Sequence, residues 1–173
     1  MMRVLIVFWL FGIVVGLGLT GLWSAAVGQE ARLQVSITAI SDGDSLRAGK
    51  LRLRLHGIDA PEKKQLCSTA SGESYACGQQ AADWLRSQIS PGQRLSCVLL
   101  DTDRYRRLIV QCFKEDMDLN QAVVRAGWAL AYTRYSDAYI QAEQQARAEG
   151  IGLWQGPFMR PEEWRRQKRE RKK

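Results

Sequence analysis

The sequence predicts a mainly β domain that also carries helices, an α+β fold built as a small β-barrel or sandwich. Three observations point to it. Residues 33–58 alternate apolar and polar side chains with the period of two that strands show. Two cysteine-bearing runs flank a polar turn at residues 101–107, as expected for a hairpin. Alanine-containing stretches with helical spacing begin at polar capping residues and end at glycines.

An export segment precedes this domain. Residues 4–23 are apolar apart from Thr20, and Arg3 stands before them. This pattern is typical of a signal peptide, here with a cleavage site before Gln29. An apolar run of about 20 residues is also long enough to remain as an uncleaved transmembrane helix. Either alternative places the globular part outside the cytoplasm, in the periplasm or the medium.

The domain begins with three strands in a meander. In the third strand, apolar side chains are expected to face the core and basic ones to face away, because Leu51, Leu53 and Leu55 alternate with Arg52, Arg54 and His56. The expected strands are residues 33–40, 45–48 and 51–58. Gly57 breaks the alternation so that the chain can turn, and Pro61 ends the sheet.

Acidic residues stand at both ends of this hairpin. Asp44 precedes the second strand, and Asp59 and Glu62 follow the third, so a hairpin that returns on itself brings three carboxylates together. Oxygen ligands of this kind suit a hard cation such as Ca²⁺. Arg54 beside them suits phosphate, since a guanidinium group and a cation can share its oxygens. Taken singly, each of these acidic residues is an ordinary turn former.

Four cysteines agree with an oxidising compartment. Cys97 and Cys112 are equidistant from a turn centred on residues 104–105, so in a regular antiparallel hairpin they face each other and can form a disulfide. Cys67 and Cys77 then close the polar loop between them. Other pairings stay open. A zinc site is the competing interpretation, although no C-x-x-C occurs and His56 is the single histidine.

Three helices complete the domain. The second has a capping pattern at its start, because Asp118 is followed three residues later by Gln121. Glycines or Ser90–Pro91–Gly92 mark the ends. The expected helices are residues 78–88, a helix from Asp118 to Gly127, and a helix from Ser136–Asp137 to Gly150.

A basic tail follows at residues 158–173. The chain has a net charge of +7, and residues 160–173 hold eight basic and three acidic side chains. Such a run is typical of a solvated, frayed helix or a disordered arm. The alternative is an arm that binds phosphate and makes polyanion binding salt-sensitive, or that contacts an anionic membrane surface.

Several motifs occur together in one order along the chain: DGDS at residues 42–45, RLRLHGIDAPE at 52–62, DRYRR at 103–107 and DLNQAVVRAGWA at 118–129. In this arrangement the chain resembles the micrococcal nuclease (thermonuclease-like) family from about residue 35 to 154. The resemblance implies a five-stranded OB-fold barrel with about three helices over residues 33–157. The segment at residues 1–28 and the tail at 158–173 lie outside it.

The resemblance also implies site residues. A Ca²⁺ ion would be held by Asp44, Asp59 and the backbone carbonyl of Ala60, where the family often has threonine. Glu62 matches the glutamate that positions or deprotonates the attacking water. The remaining matches are the two phosphate-binding arginines, Arg54 and Arg107, and the nucleotide-binding aromatics, for which Tyr135 fits the spacing better than Tyr132. Arg106 stands where the family often has glycine, so it or Arg104 would compete for the phosphate.

The function implied is hydrolysis of DNA and RNA, Ca²⁺-dependent and with little sequence preference, leaving 3′-phosphate ends. Single-stranded or frayed substrates are expected, since a basic rim follows the backbone and aromatic rings stack on free bases. The protein would be a monomer, secreted or tethered to the membrane by residues 1–28. The alternatives are a non-catalytic OB-fold module that binds nucleic acid at the cell envelope, and a tethered adaptor whose tail binds lipid or a partner protein.

Overall fold

The computed structural model describes residues 31–90 and 92–172, which form a mixed α+β domain. The expected export segment, residues 1–28, lies outside them. Within the described ranges no helix is long and apolar enough to cross a membrane. The strands are β1 (Arg32–Ser36), β2 (Ala39–Asp42), β3 (Ser45–Ala48), β4 (Leu51–Leu55), β5 (Ile58–Asp59), β6 (Cys67–Ser68), β7 (Ser74–Tyr75), β8 (Arg94–Thr102), β9 (Leu108–Lys114), β10 (Met117–Asp118) and β11 (Leu130–Ala131). The helices are α1 (Cys77–Gln88), α2 (Leu119–Arg125), α3 (Ile140–Glu149), α4 (Pro161–Glu170) and a 3₁₀ turn (Gly152–Gln155).

The main sheet has the order β1-β8-β9-β4-β3-β2, with β10 added to β9. Its neighbours are antiparallel except for β4 and β9, which run parallel. The first expected strand is interrupted at Ile37–Thr38, and its halves, β1 and β2, pair with β8 and β3 respectively. Each end of the sheet is therefore half of one bent strand. Among the described residues no pairing joins these two end strands. The expectation of a closed five-stranded barrel was therefore wrong, because the sheet is not closed by pairing and it has seven strands.

The core lies against one face of the curved sheet, as the alternation predicts. Leu53 and Leu55 are buried, and Leu46 and Val110 from neighbouring strands pack in the same cluster. Leu51 is an exception, with 48% of its surface exposed, because β4 begins there beside the β3–β4 turn. The core therefore lies beneath the second half of β4, next to the acidic turn.

Both expected disulfides are present. Cys97 and Cys112 are paired residues of β8 and β9, and their sulfurs form a bond. A register shift between Leu99 and Asp101 lies on the turn side of this pair and leaves it facing. Cys67 and Cys77 are also bonded and connect β6, at the start of the loop between them, to the first residue of α1.

The helices largely follow their capping signals. The Asp118 carboxylate accepts a hydrogen bond from the Gln121 amide at 3.1 Å, and Gly150 ends α3 in the left-handed conformation. The expected start of α3 at Ser136–Asp137 was wrong, since that helix begins at Ile140. The Ser136 hydroxyl instead accepts the Ala138 amide hydrogen, which makes a separate turn.

Helix α4 is the largest departure from expectation. It is regular from its first-turn proline, Pro161, and it packs on the domain rather than forming a free arm. Pro161 is buried, and the side chain of buried Gln65 donates to the carbonyl of Met159 at 2.7 Å. These contacts hold the start of α4 beside the loop that carries Glu62.

Candidate functional site

A cavity of about 870 Å³ opens between β4, the β8–β9 turn, residues 132–135 and α4. Arg54, Glu62 and Arg107, which the sequence predicts as catalytic, all line it, and so do Tyr132 and Tyr135. Two groups of residues define its chemistry. We call them the carboxylate wall (Asp44, Asp59 and Glu62) and the arginine turn (residues 103–107).

Asp44 is placed by the tight turn between β2 and β3. Its carboxylate is buried and accepts hydrogen bonds from Arg54, from the Ser45 hydroxyl at 3.0 Å and from the Ala60 amide at 2.8 Å. Gly43 allows this approach, because a Cβ there would lie 2.8 Å from the Cβ of Ala60. Burial raises the pKa of Asp44 to about 7, with Arg54 opposing that rise. A second positive charge near Asp44 would favour its ionised form.

Arg54 joins two members of the carboxylate wall. It projects from β4, and its guanidinium contacts Asp44 and donates to Asp59 at 3.0 Å. Burial lowers the pKa of Arg54, but the carboxylates of Asp44 and Asp59 outweigh it and the net pKa is raised. Gly57, at φ +72°, makes the turn that carries the chain from β4 to Asp59. The predicted role of Gly57 as the break in alternation agrees with this geometry.

Glu62 lies on the loop after β5, and that loop is held tightly. The Glu62 amide donates to the side chain of Gln65 at 3.3 Å, and the Gln65 amide donates back to the Glu62 carbonyl at 2.7 Å. Gly78 of α1 also packs on this loop, since a Cβ there would lie 1.8 Å from the Glu62 carbonyl oxygen. The disulfide at Cys77 fixes the adjacent position. Glu62 therefore has a fixed backbone and a partly exposed carboxylate.

The donor set suits a cation. Asp44 and Asp59 are buried and contact one guanidinium, so both lie within reach of a single positive group. Together with the Ala60 carbonyl they offer only oxygen donors, which fits the Ca²⁺ site that the resemblance implies. The expected convergence of three carboxylates was wrong: the described residues hold no group of three or more His, Cys, Asp or Glu arranged for a metal. Glu62 and Asp59 are instead joined by Arg165, which donates hydrogen bonds to both.

Arg165 is a site residue that the sequence did not reveal. Its guanidinium donates to both oxygens of Asp59 at 2.9 Å and to Glu62 at 3.1 Å. Burial lowers its pKa, but the bonds to Asp59 and Glu62 prevail and raise it. Pro161 at the first helical position, followed by Glu162 and Glu163, is a pattern that predicts the start of a helix. The basic charge of the tail favoured a frayed helix or a disordered arm instead.

The arginine turn is held by one acidic residue. Asp103 accepts hydrogen bonds from the amides of Tyr105 and Arg107, both at 2.9 Å, and from the Arg107 side chain at 2.8 Å. Its role was missed, although its spacing of four residues from Arg107 was visible. Arg52, expected to face away from the core, also contacts the Tyr105 carbonyl. These bonds aim Arg107 at the cavity.

The two departures from the family pattern have local explanations. Arg106 has φ +60°, a conformation that glycine adopts without strain, and it does not line the cavity. Arg104 does line it, so only Arg104 is placed to compete for a phosphate. Ala60 is buried against Gly43, and its amide rather than its side chain supports Asp44.

The aromatic residues form one side of the cavity. The rings of Tyr132 and Tyr135 contact edge to face with centroids 5.0 Å apart. Tyr135 has 62% of its surface exposed, whereas Tyr132 is half-buried and burial raises its pKa. His56 also lines the cavity, and burial lowers its pKa. Tyr135 is thus the ring most available to a base.

The domain is similar in sequence to known proteins. Residues 52–156 match the family model described as staphylococcal nuclease homologue. The succinoglycan biosynthesis protein ExoI of Rhizobium meliloti is 32% identical over 118 residues, which cover 67% of this chain and 62% of that protein. The match thus spans less than two thirds of ExoI.

Two further relatives carry nuclease names. A protein of Haemophilus influenzae named uncharacterized endonuclease is 34% identical over 141 residues, covering 77% of this chain and 73% of the relative. The probable staphylococcal-like nuclease CAN1 of Oryza sativa subsp. japonica is 33% identical over 130 residues, covering 73% of this chain and 36% of the relative.

Proposed function

Because the chain belongs to the staphylococcal nuclease homologue family, we propose that it is a metal-dependent nuclease that hydrolyses DNA and RNA with little sequence preference. One observation carries the proposal. Arg54, Glu62 and Arg107 line one cavity, and Arg54 is bonded to the buried carboxylates of Asp44 and Asp59. This arrangement supports the set of five residues that the sequence predicts, because three of them line the cavity and Arg54 contacts the other two.

The cavity has the chemistry of a phosphodiester site. Six arginines line it against three acidic residues. Guanidinium groups bind phosphate oxygens without reading the bases. Tyr132 and Tyr135 supply faces on which any unpaired base can stack. This combination supports a preference for single-stranded or frayed nucleic acid in a partial, OB-like fold.

The residues divide the hydrolysis between them. Glu62 accepts the proton of the water that attacks phosphorus. Arg54 and Arg107 bind the oxygens on which charge develops, and the 5′ oxygen leaves and takes a proton from solvent, so that a 5′-hydroxyl and a 3′-phosphate end remain. Asp44, Asp59 and the Ala60 carbonyl would hold Ca²⁺. When bound, such an ion polarises the phosphate and acidifies water.

We also propose that the protein works outside the cytoplasm as a monomer. Two disulfides within the described domain support an oxidising compartment. Residues 1–28 would direct export and then be removed or stay as a membrane tether. Detection of the mature N-terminus by mass spectrometry of the exported protein distinguishes the two.

Replacement of Glu62 by glutamine tests the nuclease. We expect release of acid-soluble nucleotides from single-stranded DNA by the full chain with Ca²⁺, none with chelator, and a decrease of about 10³-fold in Glu62→Gln. Glu73→Gln removes the same charge from an exposed loop residue and should keep full activity.

The outcomes separate the alternatives. Cleavage that persists in chelator would reject the metal requirement. If the folded protein binds single-stranded DNA but releases nothing with Ca²⁺, Mg²⁺ or Mn²⁺, the protein is instead a non-catalytic binding module.

A further inference from the structure

Helix α4 contributes to the cavity from outside the family match. The matched region ends at residue 156, whereas α4 spans Pro161–Glu170. Arg165 and Arg169 nevertheless line the same cavity as Arg54 and Arg107. Their spacing of four residues puts them on one face of the helix, one turn apart. We call this pair the α4 face.

The α4 face is held in place by contacts at its start and its middle. The Gln65 side chain bonds the Met159 carbonyl just before the helix, and Pro161 is buried. Further along, Arg165 forms its three hydrogen bonds to Asp59 and Glu62. Because the helix is fixed at these points, its backbone needs no ordering when a ligand binds, and only the unbonded Arg169 side chain would lose freedom.

Arg165 retains hydrogen-bonding capacity beyond these contacts. A guanidinium group carries five N–H donors. Three hydrogen bonds go to Asp59 and Glu62, which leaves two donors for another acceptor. Arg169 is exposed, and its side chain forms no ion pair or hydrogen bond with another described residue. Both arginines are therefore available to an anion that enters the cavity.

We propose that the α4 face is a second phosphate-binding surface, on which Arg165 and Arg169 bind adjacent phosphates of a single nucleic-acid strand while Arg54 and Arg107 bind the phosphate to be cleaved. This deepens the proposed function and rests on it for the identity of the strand. The face supplies two of the six arginines of the cavity. It would lengthen the bound segment without adding base specificity, because phosphate contacts carry no sequence information.

Binding in chelator tests the surface independently of cleavage. Fluorescence anisotropy would measure the dissociation constant of a labelled oligothymidylate for the full chain over a range of salt concentrations. The variants are Arg165→Gln, Arg169→Gln and the control Arg166→Gln, which removes the same charge from an exposed position of α4 outside the cavity. Thermal unfolding checks that each variant is folded.

We expect Arg165→Gln to weaken binding about tenfold and Arg169→Gln about threefold. Each should lower the slope of log affinity against log salt by about 0.7, the value for one phosphate of a single strand. Arg166→Gln should change neither. Arg169→Gln removes no hydrogen bond or ion pair among the described residues, so it decides the question even if Arg165→Gln fails to fold.

Two results would overturn the proposal. Equal affinities and slopes in all three variants would make α4 a purely structural helix. Tighter binding or faster cleavage in Arg165→Gln would show instead that α4 inhibits the site through the contacts of Arg165 with Asp59 and Glu62. If the variants show the expected pattern but the wild-type chain cleaves nothing, the surface stands and the nuclease proposal fails.

Discussion

Glu62 of the carboxylate wall and Arg107 of the arginine turn line the same cavity, but the two groups are stabilised in different ways. Asp44 and Asp59 are 1% and 3% exposed and depend on partners from β4 and α4. The Arg107 side chain is 30% exposed and is bonded to Asp103 within its own turn. Buried charges need their partners, whereas an exposed turn keeps its shape through local bonds. A substitution in the carboxylate wall should therefore lower both the rate of cleavage and the stability of the fold. A substitution in the arginine turn should lower the rate with little loss of stability.

Arg54→Gln should have the largest effect, because it should lower both the rate of cleavage and the stability of the fold. It removes a phosphate-binding group and leaves the buried Asp44 carboxylate without a cationic partner. We expect a loss of about 3 kcal/mol in the free energy of unfolding and a decrease of about 10²-fold or more in rate. Urea denaturation and nucleotide release would measure the two.

Arg107→Gln is the matched variant on the other side of the cavity. It should lower the rate by a similar factor of about 10², yet cost less than about 1 kcal/mol in stability, because its ion pair is partly exposed. If both arginine variants lost the same stability, the contrast between wall and turn would be wrong.

Asp103→Asn should have an intermediate effect, because Asp103 holds the Arg107 side chain in position. Partial burial raises the pKa of Asp103, but hydrogen bonds from Arg107 and Tyr105 outweigh it and lower the pKa. The ionised carboxylate therefore stabilises the fold above its ordinary pKa of 3.8, and this contribution disappears as the pH falls through the lowered folded value.

At neutral pH we expect Asp103→Asn to lose about 1 kcal/mol in stability and about tenfold in rate. Its stability should converge with that of the wild type in acid. A stability difference that stays constant down to pH 2 would show that the charge of Asp103 is not what orders the turn.

The smallest effect is expected from Arg106→Gly. The residue has φ +60°, which costs a side chain about 1–2 kcal/mol, while glycine loses about 0.5–1 kcal/mol through the unfolded state. Thermal unfolding should show a gain of at most about 1.5 kcal/mol, with activity unchanged. Glu115→Gly, at φ +56° between β9 and β10, is the control and should gain as much. A large change in activity in Arg106→Gly would place Arg106 at the substrate.

The wall and the turn also differ in how far the sequence predicted them. Asp44, Arg54, Asp59 and Glu62 were predicted together because one short stretch of the chain, around a single hairpin, carries them in a recognisable pattern. That pattern did not predict that Arg54 forms ion pairs with both Asp44 and Asp59. A motif shows which residues are present, but it does not show which donor bonds to which oxygen. In the arginine turn, the sequence predicted Arg107 as a site residue. It did not predict that Asp103 fixes the position of Arg107 by hydrogen bonds.

The sequence by itself determined the elements whose signals are local. The alternation of β4, the cap at Asp118 and the symmetric placing of Cys97 and Cys112 each concern a few neighbouring residues. Only the tertiary structure decided the docking of α4, because Arg165 and Asp59 are 106 residues apart. No local periodicity encodes such a contact. It depends on the Glu62 loop, Gln65 and Pro161 packing together, which leaves Arg165 bonded to the carboxylates of Asp59 and Glu62.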